Sequence, residues 1–178
     1  MHIHHLWPPT LLAALALAGA ASAAPAHEHG VARLDVAVDA GRVVLMLDTP
    51  LDNLLGFEHA PRNDAETRAA AEVVARLRDG AGLFRVDPAG GCKLTTVELK
   101  SAALGLGAAA GGAAKEGHAD LEGQFEFQCA TGGRAGFVEV RLFEAFAGFK
   151  RIDLQVATPR GQMQATLRRP QTRVSLAR

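Results

Sequence analysis

Residues 121–129 read LEGQFEFQC and alternate without a break. Leu121, Gly123, Phe125, Phe127 and Cys129 fall on one side of an extended chain, and Glu122, Gln124, Glu126 and Gln128 on the other. Successive side chains of a strand point to opposite faces, so this segment is a strand with one apolar face and one wet face. Such a strand suits an antiparallel sheet that packs one side on a core and leaves the other to water.

The rest of the chain is consistent with that start. Ala32, Leu34, Val36 and Val38 alternate with Arg33, Asp35 and Asp39, a second half-buried strand, and Ala40-Gly41 turns the chain. Val43 to Leu47 is apolar on both faces, the mark of a central strand. Asn63 or Asp64 can cap a helix running to about Arg78, with Ala69, Ala70, Val73, Val74 and Leu77 as its apolar stripe. Asp64–Arg68 and Glu72–Arg76 are four apart on its outer face, where the arginines read as solvated, and Gly80 and Gly82 stop the helix.

Further strands are expected at Leu83 to Val86 and at Cys92 to Lys100, the second with a bulge where parity switches between Leu94 and Val97. Others follow at Phe137 to Phe143, Ile152 to Ala157 and Met163 to Arg168, with a hairpin turn at Thr158 to Gly161. Residues 102–117, almost all Ala and Gly, read as a mobile loop. No internal repeat is present. The expected fold is α+β: an antiparallel sheet of about seven or eight strands with one main helix.

Residues 1–23 resemble a cleavable secretory signal. The apolar run from Leu11 to Ala21 is too short to span a bilayer and ends in Ala21-Ser22-Ala23, a small-x-small cleavage pattern. His2, His4 and His5 stand where Lys or Arg is usual, and cleavage would remove them. Residues 24–178 then suit a single exported domain with its own core and without a membrane span. In an exported protein the default for a lone cysteine pair, Cys92 and Cys129, is a disulfide. Paired metal thiolates are the alternative, which no CxxC spacing supports.

Nineteen basic and nineteen acidic residues cancel, leaving no electrostatic case for nucleic acid or an anionic membrane surface. No GxSxG, HExxH, Walker or dinucleotide motif is present, so no enzyme is indicated. What remains is imidazole beside carboxylate. His27 and His29 flank Glu28, His59 follows Glu58, and His118 precedes Asp120. Neutral imidazole and carboxylate suit a first-row metal, zinc in particular. Glu58 and His59 lie in PLDNLLGFEHAP, residues 50–61, a punctuated stretch joining the hairpin signal to the helix signal. The plain alternative for that stretch is a strand-to-helix connection with Leu54 and Phe57 tucked into the core.

Taken in order, AHEHG at 26–30, PLDNLLGFEHAP at 50–61, LRDGAGLF at 77–84 and HAD at 118–120 suggest a family. With LFEAFAGFKRIDLQVATPRGQ at 142–162, the chain resembles the periplasmic zinc-regulated proteins typified by ZrgA, over nearly all of residues 24–178. The resemblance implies a periplasmic zinc-binding accessory, not an enzyme, that helps a zinc ABC importer and can hand Zn2+ to its solute-binding protein. It carries the candidate ligands over to His27 and His29, Glu58 and His59, and His118 and Asp120. Alanine at His59 is expected to weaken zinc binding most. The family's His- and Asp-rich run before the HAD motif is replaced here by Ala and Gly with Lys115-Glu116, which argues against high-capacity scavenging. A site shared in a homo-oligomer fits too, since an HxH pair near a free terminus can reach a neighbour. The competing reading is a non-metal interaction or assembly module with incidental histidines. A metallohydrolase, which needs an open coordination position, stands third.

Overall fold

The computed structural model describes residues 28–107 and 119–176. The expected signal at 1–23, residues 108–117 of the Ala/Gly stretch, His27 and His118 lie outside the described residues. In chain order the elements begin with β1 (Val31–Val38), β2 (Arg42–Pro50), α1 (Asp52–Leu55), α2 (Asp64–Arg78), α3 (Gly80–Leu83) and β3 (Phe84–Val86). They continue with β4 (Cys92–Lys100), β5 (Asp120–Cys129), β6 (Phe137–Val140), α4 (Leu142–Ala145), β7 (Arg151–Thr158), β8 (Gly161–Leu167) and β9 (Arg173–Ser175).

Six strands form one sheet in the order β4-β5-β2-β1-β7-β8, and three form a second in the order β3-β6-β9. The alternating segments behave as their pattern requires. Leu34 and Val36 of β1, Leu45 and Leu47 of β2, Leu121 and Phe125 of β5, and Ile152 and Leu154 of β7 are buried together. Each fully buried side chain of this size contributes about 1.5–3 kcal/mol. The small sheet, the helices and the loop before β7 supply the opposing layer through Phe84, Val138, Val140, Val174, Leu77, Leu142 and Phe149. Phe84 of β3 meets Phe125 of β5 with ring centroids 4.7 Å apart, which ties the two sheets directly.

One expectation needs correction. The strands do not make a single antiparallel sheet of seven or eight: among the described residues there are nine, divided over two sheets. The larger sheet is also mixed, because β1 pairs with β7 in parallel, Val31 opposite Arg151 through Ala37 opposite Ala157. A wet face shows in the alternation of both strands, but alternation carries no information on the direction of a partner more than a hundred residues away.

Smaller differences have local causes. β2 is central, between β1 and β5, yet only one of its faces is covered, and Met46 is 44% exposed on the other. The segment expected as a strand to Phe143 stops at Val140, and α4 then tucks Leu142 and Phe143 into the core. Residues 102–107, the described part of the Ala/Gly stretch, form a closed turn in which Ser101 and Leu106 exchange backbone hydrogen bonds. Leu104 and Leu106 anchor that turn against the core.

α2 forms as expected, capped by Asn63, whose Oδ1 accepts from Glu66 N at 2.9 Å. Glu66 reciprocates by accepting from Arg62 N at 2.7 Å. Ala70 and Leu77 are the buried members of its stripe. Arg76 is not simply solvated: it donates to Ala145 O at 2.7 Å and lies over the Phe146 ring. The bulge in β4 falls between Leu94 and Thr96, and the Thr158–Gly161 turn joins β7 to β8 antiparallel. Cys92 and Cys129 are disulfide-bonded, as expected.

Candidate metal centre

The topology brings the ends of several strands to one place. β1, β5 and β7 start at the edge of the large sheet where β2 ends, since β1 runs parallel to β7 and antiparallel to β2, which is antiparallel to β5. His29 precedes β1, Asp52 and Glu58 follow β2, and Asp120 opens β5, opposite Pro50. Residues distant in sequence thus gather at one sheet end. A backbone bond from Leu51 N to Ala119 O, at 2.8 Å, ties the segment after β2 to the one before β5.

His29 is the meeting point. Its Nε2 lies 3.0 Å from Glu58 Oε1, and its Nδ1 lies 3.8 Å from Asp52 Oδ2. The imidazole is 57% exposed and Glu58 only 13%, so a half-sunk carboxylate sits under an accessible ring. Nitrogen and oxygen donors of this kind suit zinc, whose bonds to both run about 2.0–2.2 Å.

His59 goes elsewhere. Consecutive residues 58 and 59 diverge, and His59 stacks on Phe57 with centroids 4.7 Å apart. Its Nδ1 is 3.0 Å from Ala60 O and 3.8 Å from Glu66, the residue that closes the α2 cap. The structure therefore unites His29 with Glu58, and engages His59 with the entry to α2. His27 and His118 lie outside the described residues. Among the described residues, no group of three or more His, Cys, Asp or Glu side chains is arranged to hold a metal ion.

Sequence reasoning missed two residues at this end, Asp52 and its neighbour Asn53. Asn53 is 1% exposed. Its Oδ1 accepts from Gly30 N at 2.6 Å, and its Nδ2 donates to Val31 O and Thr49 Oγ1, each at 2.9 Å. The available signal was an amide set among Leu51, Leu54 and Leu55, since a buried amide normally has a partner for each of its polar atoms. On its other side, Gly30 O accepts from both Lys150 N at 2.7 Å and Arg151 N at 3.0 Å. Gly30 has φ +86°, and a Cβ there would meet the Lys150 side chain, so the glycine after His29 is required by backbone and packing alike.

No helix among the described residues is long and apolar enough to cross a membrane. The search of curated proteins returned no match. The family model described as ZrgA family zinc uptake protein matches residues 26–176, which takes in every element of the fold and the whole sheet end just described. The chain belongs to the ZrgA family of zinc uptake proteins.

Proposed function

We propose that this protein binds Zn2+ at the sheet end that carries His29 and Glu58, and that it serves zinc uptake by buffering the metal in the periplasm or passing it to the solute-binding protein of an ABC importer. The observation that carries the reading is the 3.0 Å approach of His29 Nε2 to Glu58 Oε1, from segments almost thirty residues apart, in a member of a zinc uptake family. Zinc would take the imidazole nitrogen and a carboxylate oxygen in place of their mutual contact, and binding would release a proton wherever a donor was protonated. Asp52 supplies a further oxygen within reach of the ring. Asp120, at the same end, and His27 and His118 are the proposed additional ligands. His59 stands as the least central of the six ligands expected from sequence. The modest donor set fits a compact site or two. A site completed by a second copy of the chain is part of the same proposal.

The test is zinc titration calorimetry on residues 24–178 after chelator treatment. Sub-micromolar binding at about one or two equivalents is expected, and a second titration against an importer's solute-binding protein would follow the metal's transfer. Absent or merely millimolar binding would overturn the reading and favour a non-metal interaction module.

A further inference from the structure

We propose that Asn53 is a positioning residue for the zinc site: it holds the His29–Gly30 turn against the segment that carries Glu58, so that the two donors stand together before metal arrives. This rests on the reading that His29 and Glu58 face the metal. The observations are geometric. Asn53 is buried at the start of α1, immediately after Asp52 and five residues before Glu58. Its side chain reaches across to β1 and commits its hydrogen-bonding groups to the residues that follow His29: Gly30 N, at 2.6 Å, and Val31 O, at 2.9 Å. Thr49 Oγ1, also buried, takes the second amide hydrogen at 2.9 Å and fixes the plane of the amide. One amide therefore joins the backbone that follows His29 to the end of β2.

The surroundings hold Asn53 itself in place. Gly148 packs so closely on the Asn53 backbone that a Cβ at position 148 would lie 2.4 Å from Asn53 O. The same stretch supplies Lys150 N and Arg151 N to Gly30 O. The His29 turn is thus gripped from one side by Asn53 and from the other by residues 150–151. A 57% exposed histidine has little packing of its own, so its backbone has to fix where the ring stands relative to Glu58.

The experiment compares Asn53→Ala with Val138→Ala, a core truncation in the second sheet, in residues 24–178. In the metal-free protein, the nuclear Overhauser contact between the His29 ring and the Glu58 γ-methylene is expected in the wild type and in Val138→Ala, and is lost in Asn53→Ala. Zinc affinity is expected to fall about tenfold in Asn53→Ala, the range seen when residues that orient ligands are removed. Adding Asn53→Ala to His29→Ala should cost no more than His29→Ala alone. A retained contact, or losses that add in the double variant, would overturn the proposal. If the wild type binds no zinc, the binding reading fails, and the metal-free contact alone decides the role of Asn53. Should Asn53→Ala not fold, Thr49→Val frees the amide more gently; there an undiminished contact would overturn the proposal and a weakened one would support it.

Discussion

Cys92 and Cys129 stand directly opposite each other in the β4–β5 pairing and are joined by a disulfide. The bond closes a loop across a sequence separation of 37, which is worth about 3–4 kcal/mol in the chain-entropy account. It lies at the end of β5 remote from Asp120, about 30 Å away for a ten-residue strand. Replacing both cysteines by alanine should lower the unfolding free energy by about that amount in chemical denaturation while leaving zinc affinity unchanged. A parallel loss of affinity would show that the two ends of the sheet are coupled.

His29 and His59 should separate in a titration. His29→Ala and Glu58→Gln are each expected to weaken zinc binding at least tenfold, about the lower bound for disturbing a metal's immediate surroundings. His59 touches Phe57, Ala60 O and Glu66, so His59→Ala should change stability by less than about 1 kcal/mol and affinity little. This reverses the order expected from sequence. An equal or larger loss in His59→Ala would put that ring back on the metal.

Gly148→Ala forces a Cβ to within 2.4 Å of Asn53 O, and backbone atoms cannot yield as the tip of a side chain can. A cost of about 1–3 kcal/mol is expected, the usual range for overpacking. A Cβ added at Gly133 meets nothing within 4 Å, so Gly133→Ala should be close to neutral. Thermal denaturation of the pair makes the comparison, and equal midpoints would refute the packing argument.

Asp87 should contribute to the stability lost in acid. Its carboxylate accepts from Ala89 N at 2.9 Å and Gly136 N at 2.8 Å, and these bonds, with the nearby Arg173 charge, hold its pKa below the ordinary aspartate value despite some desolvation. The folded pKa is the lower one. The stabilisation is therefore fully present above the unfolded value of about 3.9 and is lost as pH falls from there through the folded pKa. Asp87→Asn should flatten the stability curve in that acid window, as read by denaturation between about pH 2 and 6. An unaltered acid limb would remove Asp87 as its source.

The strands were legible wherever alternation was strict. β1 and β5 fall within a residue or so of their expected limits, and α2 starts at the cap that its Asn63 announces. The parallel β1–β7 contact was not legible, since a parallel partner leaves the same one-sided pattern as an antiparallel one. The short β9 gives only Val174 as an inward residue, too little to register as periodicity. At the candidate site, the sequence offers residue types but carries no information on the directions in which they point. Glu58 and His59 are adjacent in sequence, and after the left-handed turn at Gly56 only the first meets His29. Asp52 and Asn53 look like ordinary polar punctuation until the fold brings Gly30 beside them.

The central pairing of β1 with β7 also sets a timetable. Residues 31–37 can form their hairpin with β2 as soon as that strand exists, yet their other edge stays open until residues 151–157 are synthesised. Contacts that span so much of the chain form slowly, because the intervening loop must close before any bond is gained. Gly30 O receives its two amide donors from Lys150 and Arg151, at the very start of that late strand. A nascent or truncated chain ending before them holds the residues of the hairpin but lacks one side of the grip on the His29 turn. The readiness of that turn therefore reports that the chain has been made at least as far as β7.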